Sequence, residues 1–401
     1  MKNIFILLLF VFIPLTLFAQ KKNEDRQYNI HRTKLPVKID GIMEDSVWQQ
    51  AETATDFFQV LPMDTSKAFV RTEVKMLYDD QYIYLLAINY EKVEGNYMVE
   101  SLRRDFSFGK NDNFLLFIDT FDDQTNGFTF GANAMGAQWD GVLFEGGSAN
   151  LSWDNKWVSA VKTEDDKWTF EMAVPFKSIR YKEGIKRWGI NFSRLDMKTT
   201  EKSAWAAVPR QFPTASLAYT GVLNWDEAPP KAGTNISLIP YVASKLNKNH
   251  EKETPGAFDF QAGLDAKVAV TSSLNLDLTI NPDFSQVEVD RQQTNLDRFE
   301  LFFPERRQFF LENGDLFANF GYQNIRPFFS RRIGLNAPIH FGTRLSGKIN
   351  KKWRIGVMDM QTGHNQDSIP AQNFAIVALQ KQVFARSNIS AIFINKETFD
   401  V

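Results

Sequence analysis

The sequence predicts an all-β protein in two parts: an N-terminal β-sandwich, then antiparallel strands of a second, incomplete sheet domain. Three observations carry that expectation. From about His31 to Trp225, short apolar runs alternate with polar turns, as in a sandwich. The segment Glu227-Ala-Pro-Pro-Lys-Ala-Gly233 then interrupts any ladder, because proline cannot donate to one. Beyond it the runs become longer and alternate strictly. The aromatic content of 14%, dominated by 36 Phe, fits β-rich structure, sugar-stacking surfaces or a membrane girdle.

Taken in order, residues 1–19 read as a signal peptide. Lys2 supplies the positive start, residues 4–18 the apolar stretch, and Leu17-Phe18-Ala19 a small-residue cleavage site before Gln20. The apolar stretch is shorter than the roughly 20 residues of a spanning helix. An N-terminal segment at 20–30 precedes a sandwich at 31–228, a linker at 229–234 and a second domain at 235–401. A length of 401 residues agrees with two or three domains of about 150 residues each. The chain has no cysteine, which excludes disulfides, thiolate catalysis and cysteine metal sites. Four scattered histidines argue against zinc, and a net charge of −2 gives no sign of a nucleic-acid partner.

Within the first part, Tyr82–Ile88 and Phe114–Ile118 are apolar on both faces, which suits central strands between two layers. Residues 168–174 form a third strand-like run. In the second part, Phe260, Ala262, Leu264, Ala266, Val268 and Val270 alternate with polar or small neighbours. The split recurs in residues 273–280, with Leu274, Leu276, Leu278 and Ile280, and in 340–350, with Phe341, Leu345 and Ile349. Alternating runs of about 10 residues meet the requirement of a membrane β-strand, and a second soluble sandwich alternates equally well.

Two resemblances bear on that choice. The run from Val37 to Ala51 places Ile39-Asp40-Gly41 before Glu44, Asp45, Trp48 and Ala51. It resembles the opening signature of family 9-like carbohydrate-binding modules, with Trp48 in the core. The resemblance implies a β-sandwich and a polysaccharide or glycan partner. The blocks 281–290, 295–314 and 329–334 resemble an uncharacterised family of outer-membrane proteins. In that family a β-barrel follows a family 9-like module. This implies localisation in the outer membrane or periplasm, contact with membrane lipid, and partners among envelope proteins. The chain stops at Phe399-Asp-Val401 without a terminal aromatic, so the resemblance implies a truncated barrel.

The candidate site lies in residues 103–157. Carboxylates and amides at strand ends suit sugar hydroxyls, with Arg104, Asn133 and Asp140 as ligand-binding candidates. They also suit calcium, which takes about 6–8 oxygen ligands, with Asp112, Asp119 and Asp122 as candidate ligands. The competing reading has these acids capping turns and pairing with Arg103 or Arg104. Pyranose C–H faces bury against aromatic rings. Trp139, Trp153 and Trp157 stand among Gly, Asp, Asn and Ser and are the candidate platforms. No catalytic residue is assigned. A glycoside hydrolase would need two carboxylates. Glu300, Glu305 and Glu312 stand among arginines, which lower rather than raise a carboxyl pKa. An outer-membrane channel or scaffold plugged by the sandwich is the third reading.

Overall fold

The computed structural model describes residues 22–43, 46–230, 236–247, 256–282, 294–295, 301–303, 305–321, 325–335, 337–350, 352–364, 370–384 and 387–399. The expected signal peptide, most of the linker, Glu44, Asp45 and Glu300 lie outside these residues.

In the first unit, fourteen strands form one hydrogen-bonded network arranged as two layers. Thr72–Tyr78, Tyr82–Tyr90, Lys167–Pro175 and Val158–Thr163 belong to one layer. The other contains Gly221–Trp225, Arg187–Asp196, Asn113–Asp119, Gly127–Asn133 and Gln138–Phe144. Gln27–Arg32 joins them: Gln27–Ile30 pair in parallel with Val222–Trp225, and His31 and Arg32 with Leu77 and Tyr78. The sandwich therefore begins before the boundary expected at residue 31. The reason is local, since Tyr28 and Ile30 alternate into the core and are fully buried.

Between the layers lie Met76, Leu85, Phe170 and Met172 from one side and Phe114, Phe130, Ile190 and Phe192 from the other. Each such side chain contributes roughly 1.5–3 kcal/mol on burial. As the apolar runs imply, Asn113–Asp119 is buried along its whole length, and Tyr82–Tyr90 at all but its ends.

The Ile39-Asp40-Gly41 motif owes its geometry to a residue far along the chain. The buried Glu171 carboxylate accepts the backbone N–H of Asp40 at 3.0 Å and of Gly41 at 2.8 Å. It also accepts Trp48 Nε1–H at 2.9 Å. Gly41 has φ +80°, and a Cβ there would lie 3.1 Å from the backbone of Val161 and Lys162. Trp48, on the 3₁₀ turn Ser46–Gln50, is buried as expected.

The second unit is a seven-stranded antiparallel sheet in sequence order: Ile236–Asn247, Ala257–Thr271, Leu274–Ile280, Ile339–Lys348, Trp353–Thr362, Ala371–Gln382 and Asn388–Phe399. Its register places Ile236, Val268, Leu276, Leu345, Val357, Val377 and Phe393 in one continuous row. In that row Ile236 and Phe393 are exposed and the five residues between them are half-buried. The opposite face buries Asn275, Asp277, Thr279, Arg344 and Ser346, with Arg344 donating to Asp277 at 2.8 Å. In this part of the sheet the polar residues are thus inside and the apolar ones outside. Over the later strands the inner face is apolar. There Met358, Met360, Phe374 and Ile376 are covered by Phe309, Phe310, Leu316 and Phe317 of the 281–338 excursion.

Candidate functional site

Four polar partners gather around Arg104, on the loop before the 3₁₀ turn Phe108–Lys110. Its guanidinium lies 2.5 Å from the Asp140 carboxylate and 2.6 Å from that of Asp154. It also donates to Gln138 Oε1 at 2.7 Å and to the Asn155 carbonyl at 3.1 Å. Strand Gln138–Phe144 supplies Gln138 and Asp140, and the 151–157 loop folds back to supply Asp154 and Asn155. Asp140 is fully buried, whereas Arg104 remains one-third exposed and Asp154 more than half. Asn133 adjoins this cluster. It donates to the Ser101 carbonyl at 2.9 Å and accepts the N–H of Met135 and Ala137. It thereby ties the Arg104 loop to the 134–137 turn, and the two segments expose Leu102 and Met135. Asp105, next to Arg104 in sequence, joins the group through its carboxylate. It has φ +56°, and its carboxylate accepts the Asp140 N–H at 3.3 Å.

Burial pushes the Asp105 carboxyl up to about 7, with the Asp140 charge adding to the rise. Burial also raises Asp140 to about 6, against the pull of Arg104. For both groups the folded state holds protons that the unfolded state releases. The stability these two groups contribute is therefore present in full below about pH 4 and is lost as pH rises to about 7. Asp105→Asn should raise the thermal midpoint at pH 8, with a gain that shrinks toward pH 4. An equal gain at both pH values would contradict this assignment.

The tryptophan expectation requires correction: Trp139, Trp153 and Trp157 are all buried. Trp153 packs against Phe128 at 5.3 Å between ring centres, and Trp157 edge-on against Phe130 at 5.6 Å. Trp139 packs with Phe106, Phe117 and Leu217. Burying an indole contributes more than its polar sequence neighbours oppose, because Asp154 and Lys156 face outward while the rings turn inward.

The calcium expectation also requires correction, because Asp112, Asp119 and Asp122 do not converge. Among the described residues no group of three or more His, Asp or Glu is placed to hold a metal ion. Asp119 accepts the N–H of Phe121, Asp123 and Gln124 and so builds its own turn. Asp112 accepts those of Met98 and Met197, and Asp122 pairs with Arg187 at 3.2 Å. These carboxylates are occupied by backbone amides or a guanidinium, as the turn-capping alternative requires.

The carboxylates of the second unit are similarly engaged. Despite burial, hydrogen bonds from Arg307 and Ser330 hold Glu305 below the ordinary carboxylate range, the opposite of a catalytic acid. Glu312 bonds with Lys267, Asn275 and Arg180. A cleft of about 750 Å³ opens between the two units, lined by Phe121, Asp122 and Arg187 on one side and Lys348, Asn350 and Lys352 on the other.

Residues 39–212 match the family model described as carbohydrate family 9 binding domain-like. The first unit resembles that family. Residues 232–352 match a domain of unknown function, DUF5916. No curated protein matches the chain. Among solved structures, a family 9 carbohydrate binding module from Caldicellulosiruptor kristjanssonii in complex with cellotriose is 14% identical, with a TM-score of 0.37. The alignment covers 50% of this chain and 94% of that one. The same organism's module in complex with glucose is also 14% identical, with a TM-score of 0.36 and coverage of 50% and 96%. A putative carbohydrate-binding protein from Bacteroides uniformis is 13% identical, with a TM-score of 0.41 and coverage of 50% and 99%. The family 9-like match lies wholly within the sandwich, which extends beyond it from Gln27 to Trp225.

Proposed function

We propose that the family 9-like unit binds a polysaccharide or glycan at the Arg104 cluster, and that the second sheet sits in an outer membrane with its apolar face against lipid. In this reading the protein supports uptake or breakdown of carbohydrate without itself catalysing hydrolysis. The match of residues 39–212 to a carbohydrate-binding family model is the observation that carries the first half. The cluster suits the chemistry. Charged donors and acceptors can meet sugar hydroxyls, and exposed Leu102 and Met135 offer apolar surface to C–H faces. The second half is supported by the inverted sheet, since a row of seven apolar residues facing outward is costly in water and suited to hydrocarbon.

The test is calorimetric titration of the full chain in detergent against a broad panel of oligosaccharides. A glycan should bind. Arg104→Ala should weaken that binding tenfold or more, since a charge-assisted hydrogen bond is worth about 1.5–3 kcal/mol. Thermal melting of the variant separates this loss from unfolding. Absence of binding to every glycan would overturn the reading.

A further inference from the structure

The second sheet differs at its two ends. Its strands are joined at one end by the short connections 272–273, 349–352 and 383–387, and at the other by 248–256, 281–338 and 363–370. The first unit is seated at the short-connection end. Arg180 donates to Asn275 at 2.9 Å, at the start of strand Leu274–Ile280. Asp123 pairs with Lys348, at the end of strand Ile339–Lys348. The cleft between the units is walled by Ser273, Lys348, Asn350, Lys352 and Gln382, all from that same end. The chain also passes from the sandwich into the sheet there, at Ile236.

Outer-membrane barrels carry short turns on the periplasmic side and longer loops outside the cell. We infer that the family 9-like unit is docked beneath the membrane on the periplasmic side, so that carbohydrate reaches the Arg104 cluster from the periplasm and not from the medium. This rests on the lipid-facing reading of the second sheet. It also assigns the unit's position: the sandwich lies against the turn end of the sheet, while Phe309, Phe310, Leu316 and Phe317 cover part of the sheet's inner face.

The cysteine-free chain makes the test direct. Single cysteines are placed in the full protein in the cells that make it, Glu94→Cys or Asp166→Cys on the sandwich and His364→Cys at the long-connection end. All three positions are exposed. With a membrane-impermeant maleimide, His364→Cys should label in intact cells. The two sandwich positions should label only after the outer membrane is permeabilised. Two independent sandwich sites keep the result interpretable if one variant folds poorly. Labelling of Glu94→Cys or Asp166→Cys in intact cells, with the protein in the outer-membrane fraction, overturns the sidedness and leaves the lipid-facing reading standing. So does failure of His364→Cys to label in intact cells. Recovery of the protein in the soluble fraction overturns both.

Discussion

Trp157→Ala is expected to destabilise the first unit strongly, by about 3–5 kcal/mol, the range for large aromatic truncations in a core. The indole packs edge-on against both Phe130 and Phe170, which belong to opposite layers. Its loss opens a cavity that neither layer can close alone. Because domains of this kind are stable by only about 5–15 kcal/mol, that is a large share of the total. Trp153→Ala should behave alike through Phe128 and Phe130. Chemical denaturation followed by fluorescence checks both. If either variant melts like the wild type and loses only glycan affinity, the ring is a ligand platform after all.

The second large effect is expected at Arg194. Its guanidinium is 1% exposed and donates to the carbonyls of Arg71 at 3.0 Å and Tyr90 at 2.7 Å, and to Glu91 at 2.7 Å. Asp196 lies 3.6 Å away, and Lys198 meets Glu91 at 3.1 Å. Arg194→Met leaves Glu91 and Asp196 buried with Lys198 but without the guanidinium between them. Breaking one side of a buried pair in this way costs about 3–5 kcal/mol. Combining Arg194→Met with Glu91→Gln should recover part of the loss, because the two side chains are directly coupled. Strict additivity of the two changes in denaturant unfolding would show that the network is not coupled as its geometry indicates.

The legible parts of the fold were those set by local pattern. Alternation gave the long strands of the second unit, and runs apolar on both faces gave Tyr82–Tyr90 and Asn113–Asp119 as central strands. Gly41 and Trp48 were readable from their own neighbourhood. Their common anchor was not, since Glu171 lies 130 residues away in sequence from Gly41 and nothing nearby marks it. The same distance problem governs the site. Arg104 and Asp140 could be proposed as neighbours because both sit in one charged stretch, but the return of Asp154 onto Arg104 depends on a loop closed by Trp153 and Trp157. Reading those rings as exposed followed their polar neighbours. Side chains on an irregular loop have no period to reveal which way they face, and the apolar area of the ring decides. Alternation likewise could not tell a membrane sheet from a soluble one. The register and the burial of Asp277 and Arg344 add that these charged side chains lie on the inner face, an arrangement that supports the lipid-facing proposal.

Hydrogen–deuterium exchange of the full protein, with and without a saturating oligosaccharide, tests the central assignment most directly. Protection is expected in residues 99–106, 133–140 and 151–157, the three segments that Arg104 and Asn133 bring together, and should disappear in Arg104→Ala. Protection confined to other surfaces, or exchange unchanged by every glycan offered, would contradict the assignment of this cluster as the carbohydrate site.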